Sequence, residues 1–144
     1  MRISNRMLQL AVCGALSIGF VAPGTTLAAG PAKSSPGSAA LATCMEHAGG
    51  VDPRMVECNG AELGRQDVRL NGVYRPLAAK LDPDRRGLLI KAERAWLAAR
   101  DADCAFAAAG ESGGSLYRLL VQDCMISANA LRIKALEGYL SSER

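Results

Sequence analysis

The side chains that could carry out covalent or metal chemistry in this chain are one histidine and five cysteines. A serine or cysteine nucleophile needs a neighbouring base, and His47, the only histidine, adjoins no serine motif. A histidine near the end of a short helix is more commonly a capping or solvated residue. A zinc site needs free thiolates, whereas the cysteines of an exported chain are oxidised. We therefore expect no catalytic residue, no metal and no cofactor.

The first 28 residues have the pattern of a secretory signal peptide. Arg2 and Arg6 provide a basic start, residues 7–22 form a mostly apolar run without charges, and residues 26–28 offer small side chains for cleavage. The apolar run is shorter than the roughly 20 residues that a membrane span requires. The pattern predicts cleavage near residue 28 and a periplasmic or secreted protein with no stable membrane span.

The charge balance bears on the class of partner. The chain has 17 Lys and Arg against 14 Asp and Glu, and loss of Arg2 and Arg6 with the signal peptide leaves 15 against 14, a net charge of +1. This near-neutral balance argues against nucleic-acid binding. Residues 29–40 contain no apolar side chain larger than alanine or proline, and they predict a flexible leader. Residues 41–144 then form a single domain, small enough to gain stability from covalent links.

Four cysteines remain after signal cleavage, and an even number in an exported chain predicts two disulfides. Cys44 and Cys58 lie at equal distances from a Gly-Gly-Val turn, and Cys104 and Cys124 lie at equal distances from a glycine-rich loop. An antiparallel helical hairpin brings such positions into register. Of the three pairings that four cysteines allow, the sequence therefore favours Cys44–Cys58 and Cys104–Cys124.

Cap residues and helical periodicity predict an all-α fold, a small disulfide-stapled bundle of about four helices arranged as helical hairpins. Ser38 is a possible cap of the first helix, and Asp52 and Asp82, each followed by proline, are predicted to cap the second and third. Ser115 is predicted to cap the fourth. Pro76 favours a kink or break in the second helix. The predicted helices cover residues 38–48, 52–81, 83–109 and 116–141.

Apolar residues recur at seven-residue intervals on two of these helices, as expected for faces that pack in a core. On the second helix they are Val56, Leu63, Leu70 and Leu77, and on the fourth they are Leu119, Ile126, Ile133 and Leu140. The predicted apolar face of the third helix consists of Leu88, Leu89, Ala92, Ala95, Trp96, Ala99 and Phe106.

Charged residues within or beside these faces predict a structural polar core. Asp67 lies between two leucines of the second helix, while Glu93, Trp96 and Arg100 are spaced by three and four along one flank of the third. A buried charge needs a partner, so we expect Arg100 to reach Asp67 with Trp96 covering the pair. Asp123 similarly interrupts the face of the fourth helix. The alternative is that these charges are solvated at the edge of the apolar faces.

A set of residues occurs in a specific order along most of the predicted domain: Cys44, Met55, Cys58, Glu62, Leu63, Asp67, Leu70, Asn71, Tyr74, Leu77, residues 92–96, Arg100, Asp101, Cys104, residues 113–115 and Cys124. Their order and approximate spacing resemble the LprI-type lysozyme inhibitor family over residues 44–137. The resemblance implies an exported, helical, disulfide-bonded domain, and for some members it implies inhibition of lysozyme. The lipoprotein cysteine of some members has no convincing counterpart here, because Cys13 follows the bulky Val12.

The expected function is that of a non-enzymatic binding protein that inhibits lysozyme and protects the bacterial cell wall. An inhibitor can insert a loop into the carboxylate-lined cleft of a glycosidase, where a cation would pair with the acids. The candidate partner-binding loop comprises Glu111, Ser112, Gly113, Gly114, Ser115 and the nearby cation Arg118. A purely structural hairpin turn is the alternative for the loop. An envelope scaffold or adaptor is the alternative for the protein.

Overall fold

The computed structural model describes residues 37–111 and 113–143, and within those ranges every regular element is helical. The helices are α1 (Ala39–Ala48), α2 (Asp52–Lys80), α3 (Pro83–Ala107) and α4 (Gly114–Ser142), with a short 3-10 turn at Ala109–Glu111. The all-α prediction is therefore confirmed. The predicted signal peptide and most of the predicted leader lie outside the described residues, and the last two leader residues, 39 and 40, begin α1.

The predicted caps at Ser38 and Asp82 are confirmed. The backbone N–H of Leu41 donates to Ser38 Oγ (3.2 Å), and that of Arg85 donates to Asp82 Oδ1 (2.9 Å). Each cap satisfies one of the backbone donors that a helix start leaves without an intrahelical partner. Gly49 ends α1 with φ of 60°, a left-handed conformation that favours glycine.

The predicted cap at Asp52 is wrong, because the N-cap of α2 is Val51. Two further local predictions also fail. First, α2 does not break at Pro76 but continues as one helix to Lys80. The proline lacks a backbone donor, but Tyr74 and Leu77 beside it pack against a buried leucine cluster, and tertiary packing outweighs the local cost. Second, α4 is capped by Gly113 rather than Ser115. The Ser115 hydroxyl donates instead to Asp52 Oδ2 at the start of α2 (3.1 Å).

Helices α2 and α4 run parallel, and each is paired with an antiparallel neighbour. At one end Ser115 meets Asp52, and at the other Lys80 Nζ donates to the carbonyl oxygen of Glu143. The two predicted disulfides, Cys44–Cys58 and Cys104–Cys124, join α1 to α2 and α3 to α4. Asn59 and Asp123, which follow and precede these cysteines in sequence, share a hydrogen bond. Both disulfides therefore lie at the same end of the bundle, called here the disulfide end.

Two separate apolar clusters form the core. At the disulfide end the buried members are Leu41, Ala48, Cys58 and Ile126. At the opposite end, called here the leucine end, they are Leu77, Leu81, Leu89 and Leu136. The predicted seven-residue faces of α2 and α4 supply members to both clusters, since Leu77 and Ile126 are fully buried.

The prediction that the apolar face of α3 packs in the core is largely wrong. Leu89 is buried and Trp96 is partly buried, but Leu88 and Phe106 are 64% and 84% exposed, and the alanines of the face are exposed. Helix α3 packs mainly against α4 through the flank that includes Leu89, Glu93 and Cys104. Because α4 covers only this flank, the adjacent alanine-rich side of α3 faces solvent.

Candidate functional site

Glu93, Trp96 and Arg100 lie together as predicted, but their partners come from α4. Arg132 Nε donates to Glu93 Oε1 (3.0 Å), and Arg100 Nη1 donates to Asn129 Oδ1 (2.9 Å). Both guanidinium groups lie over the Trp96 ring, with the Cζ atoms of Arg100 and Arg132 at 5.1 and 5.6 Å from its centroid. These five residues, called here the tryptophan cluster, join α3 to α4 by ion pairing, hydrogen bonding and cation–π attraction.

The predicted Arg100–Asp67 pair is wrong. Asp67 is exposed on α2, and its backbone carbonyl accepts a hydrogen bond from Asn71 Nδ2 (2.8 Å). Arg100 donates to Asp101 Oδ1 through Nε and Nη2, at 2.9 and 2.7 Å, in addition to Asn129. The physical reason is that α3 packs on α4, so the acceptors within reach of Arg100 belong to α4 and to α3 itself. Asp67 therefore fits the alternative of a solvated charge.

Sequence reasoning missed the buried polar residues at the disulfide end and in the middle of the bundle. Asn59, Glu62, Gln66 and Asn129 are all buried. Gln66 Nε2 donates to the carbonyl oxygen of Ile126 (3.1 Å), and Asn59 Nδ2 donates to Asp123 Oδ1 (2.8 Å). The signal that could have found them is spacing, because positions 59, 62 and 66 follow the helical repeat along one face of α2.

Glu62 is the most heavily hydrogen-bonded of these groups. Its carboxylate accepts from the backbone N–H and hydroxyl of Ser38 and from the Arg65 guanidinium. Burial by itself raises the pKa of Glu62, but the hydrogen bonds from Ser38 and Arg65 outweigh it, so the pKa lies below the ordinary value. Glu62 thus holds the cap of α1 against α2 as a carboxylate.

A second carboxylate with a lowered pKa lies at the leucine end. Arg85 donates to both carboxylate oxygens of Glu143, and this hydrogen bonding lowers the pKa of Glu143 and raises that of Arg85. The pair ties the start of α3 to the end of α4. Since each group is engaged by the other, the pair has a structural rather than a catalytic character.

A groove of about 520 Å³ lies between α2 and α4 beside the cap of α1. Its two carboxylates are paired, Glu62 with Ser38 and Arg65, and Glu137 with Arg69 at 2.7 Å.

The remaining chemistry-bearing groups are dispersed. Within residues 37–111 and 113–143, no three His, Cys, Asp or Glu side chains are grouped so that they could hold a metal ion. His47 is exposed, and it lines a shallow pocket beside the Cys44–Cys58 disulfide with Arg54 and Glu57.

The described residues of the predicted loop lie at the disulfide end. Gly113 and Gly114 both have φ of 92°, which side chains other than glycine rarely adopt. Glu111, both glycines and Arg118 are exposed, while Ser112 lies outside the described residues. Ser115 binds Asp52, and this hydrogen bond joins the loop to the turn between α1 and α2.

A comparison with protein families matches residues 44–136 to lysozyme inhibitor LprI. The chain belongs to the LprI lysozyme inhibitor family. No curated protein and no solved structure matches it.

The LprI match includes both disulfides, the tryptophan cluster and the predicted loop. It begins in α1 at Cys44 and ends in α4 at Leu136, so the family pattern covers both core clusters except for Leu41 and the partly buried Leu140. No helix of the described LprI domain is long and apolar enough to cross a membrane.

Proposed function

We propose that this protein is an exported, non-enzymatic binding protein that inhibits lysozyme and so protects a bacterial cell wall. The observation that carries the proposal is the match to the lysozyme inhibitor LprI family over residues 44–136. Two disulfides in a small domain support an oxidising compartment, the periplasm or the exterior of the cell. The signal peptide predicted in residues 1–28 supplies the route of export.

The architecture suits an inhibitor better than a hydrolase. Of its buried carboxylates, Glu62 accepts hydrogen bonds from Ser38 at the cap of α1, and Glu93 pairs with Arg132 of α4, so both act as structural ties between helices. The disulfide end presents two turns, and each lies within a helical hairpin that one disulfide closes. A binding surface that is ordered before association loses less conformational entropy when a complex forms.

The test is the rate at which chicken-type lysozyme lyses a cell-wall suspension in the presence of the purified, disulfide-intact protein. Increasing amounts of protein should reduce the rate until it reaches a minimum near stoichiometric equivalence. A parallel sample that has been reduced and alkylated should lose this effect, because the turns are then released. Unchanged lysis at stoichiometric excess of intact protein would remove lysozyme inhibition as the function.

An envelope adaptor is the second candidate function. The observation that favours it is the outer face of α3, where Leu88 and Phe106 are 64% and 84% exposed at the two ends of an alanine-rich surface. The lysis assay discriminates between the two functions, because an adaptor would leave the rate unchanged.

A further inference from the structure

We infer that the surface that contacts lysozyme is composed of two turns rather than the α3–α4 loop alone. This two-turn surface consists of Val51 and Asp52 from the start of α2 and Ser115, Leu116 and Arg118 from the start of α4. The inference rests on the proposed function and specifies its contact surface.

The hydrogen bond from Ser115 Oγ to Asp52 Oδ2 (3.1 Å) joins the two turns. Each turn also lies within a disulfide-closed hairpin, Cys44–Cys58 for the first and Cys104–Cys124 for the second. The ends of α2 and α4 are thus fixed relative to each other before any partner binds. A surface fixed in this way can present side chains from both helices to one cleft.

The exposed side chains of this surface combine apolar area with one cation. Val51 is 45% exposed and Leu116 is 41% exposed, and they are the sequence neighbours of the hydrogen-bonded Asp52 and Ser115. Arg118 is exposed and forms no ion pair with any other described residue. Because helical side chains tilt toward the N-terminus, those in the first turns of α2 and α4 lean toward this end of the bundle.

This chemistry fits a cleft that contains a pair of carboxylates. A glycosidase cleaves its substrate between two such groups, and a guanidinium that enters the cleft can pair with one or both. Leu116 and Arg118 are two positions apart on α4 and lie on different sides of the helix, so the cation and the apolar contacts form separate parts of the surface. Arg118 is therefore the charged contact residue, and Val51 with Leu116 provides the apolar contacts.

The test compares two pairs of variants in the lysis assay with intact protein. Arg118→Glu is matched by Arg75→Glu, the same charge change at an exposed position in the middle of α2. Val51→Asp is matched by Val68→Asp at a position that is 76% exposed on the same helix. Aspartate is a favourable N-cap residue, and Val51 occupies the N-cap of α2, so this variant should fold at least as well as the wild type.

We expect Arg118→Glu and Val51→Asp each to weaken inhibition tenfold or more, and the two matched variants to stay within about twofold of wild type. Glu111→Gln should inhibit at least as well as wild type, because Glu111 would repel a carboxylate. Equal inhibition by all variants and wild type would overturn the two-turn surface while leaving the proposed function intact. Weaker inhibition by Glu111→Gln would overturn the carboxylate as the recognised group. A wild-type protein that does not inhibit lysozyme would overturn both proposals.

Discussion

The two ends of the bundle are built from the same helices, but their interiors differ in kind. The leucine end contains four buried leucines and no cystine. The disulfide end contains both disulfides, an apolar cluster of similar size and the buried polar side chains of Asn59 and Glu62, while Gln66 and Asn129 are buried near the middle of α2 and α4. The covalent links therefore lie beside buried polar groups that the leucine end lacks.

This difference indicates how each end is stabilised. A buried polar group stabilises a fold only when it is hydrogen-bonded, and Asn59 Oδ1 at the disulfide end is buried without a partner among the described residues. Each disulfide closes a loop of 14 or 20 residues, which contributes about 3 kcal/mol in the chain-entropy model. The disulfides offset the cost of buried polar groups at this end and keep the two turns in place.

The largest effect on stability is expected at the leucine end. Leu136 has no exposed surface, so Leu136→Ala should lower the free energy of unfolding by about 2 to 5 kcal/mol through lost burial and a residual cavity. Leu131→Ala, on the same helix but 71% exposed, should change it by less than about 0.5 kcal/mol. Urea unfolding of both variants checks the contrast, and equal losses would contradict it.

Removal of one disulfide is expected to have the next largest effect. The double variant Cys104→Ala, Cys124→Ala should lose about 3 kcal/mol of stability. Hydrogen exchange should show faster exchange of the amides near the loop between α3 and α4. The exchange of amides around Leu77 and Leu136 should accelerate only as much as the loss in global free energy of unfolding requires. Preferential loss of protection at the leucine end would show that the two ends are not stabilised separately.

Glu62→Gln should destabilise the protein by about 2 kcal/mol at pH 7, because the charged acceptor of three donor groups becomes neutral. Since the folded-state pKa of Glu62 is below its ordinary value of 4.5, the carboxylate stabilises the fold fully above that value. The contribution is lost as the pH falls through the lowered pKa. Thermal unfolding of wild type and variant should therefore converge in acid.

The matched control for this prediction is Glu57→Gln, an exposed position on the same helix. Its stability should follow that of the wild type at every pH. A difference between wild type and Glu62→Gln that stays constant from pH 7 to strongly acidic conditions would mean that the charge of Glu62 has no role.

The smallest effect is expected on the outer face of α3. Phe106→Ser removes a large side chain that is 84% exposed, so the free energy of unfolding should change by less than about 0.5 kcal/mol. A loss above about 1 kcal/mol in monomeric protein would show that this face is packed in solution, contrary to the described structure.

Much of the fold could be predicted from the sequence because its signals are local. Ser38 and Asp82 each accept a hydrogen bond from the backbone N–H three residues later in the chain. The positions of the cysteines relative to the turns were sufficient to predict both disulfides. Seven-residue repeats also identified Leu77 and Ile126 as core residues.

The errors arose where the outcome depends on which helices are neighbours. The periodicity of α3 marks an apolar side, but it does not show that α4 covers the flank with Glu93 and Arg100 instead. For the same reason the sequence led to the wrong partner for Arg100, Asp67, and gave no indication of the actual partner, Asn129. Asn59 and Gln66 were missed because polar residues on a helix are usually solvated, and only the packing of α2 against α4 buries them.

The most direct measurement of the central claim is calorimetric titration of the intact protein into chicken-type lysozyme, with Arg118→Glu titrated in parallel. We predict one-to-one binding by the wild type and at least tenfold weaker binding by the variant at the same salt concentration. The absence of any binding by the wild type, together with undiminished lysis, would contradict the account.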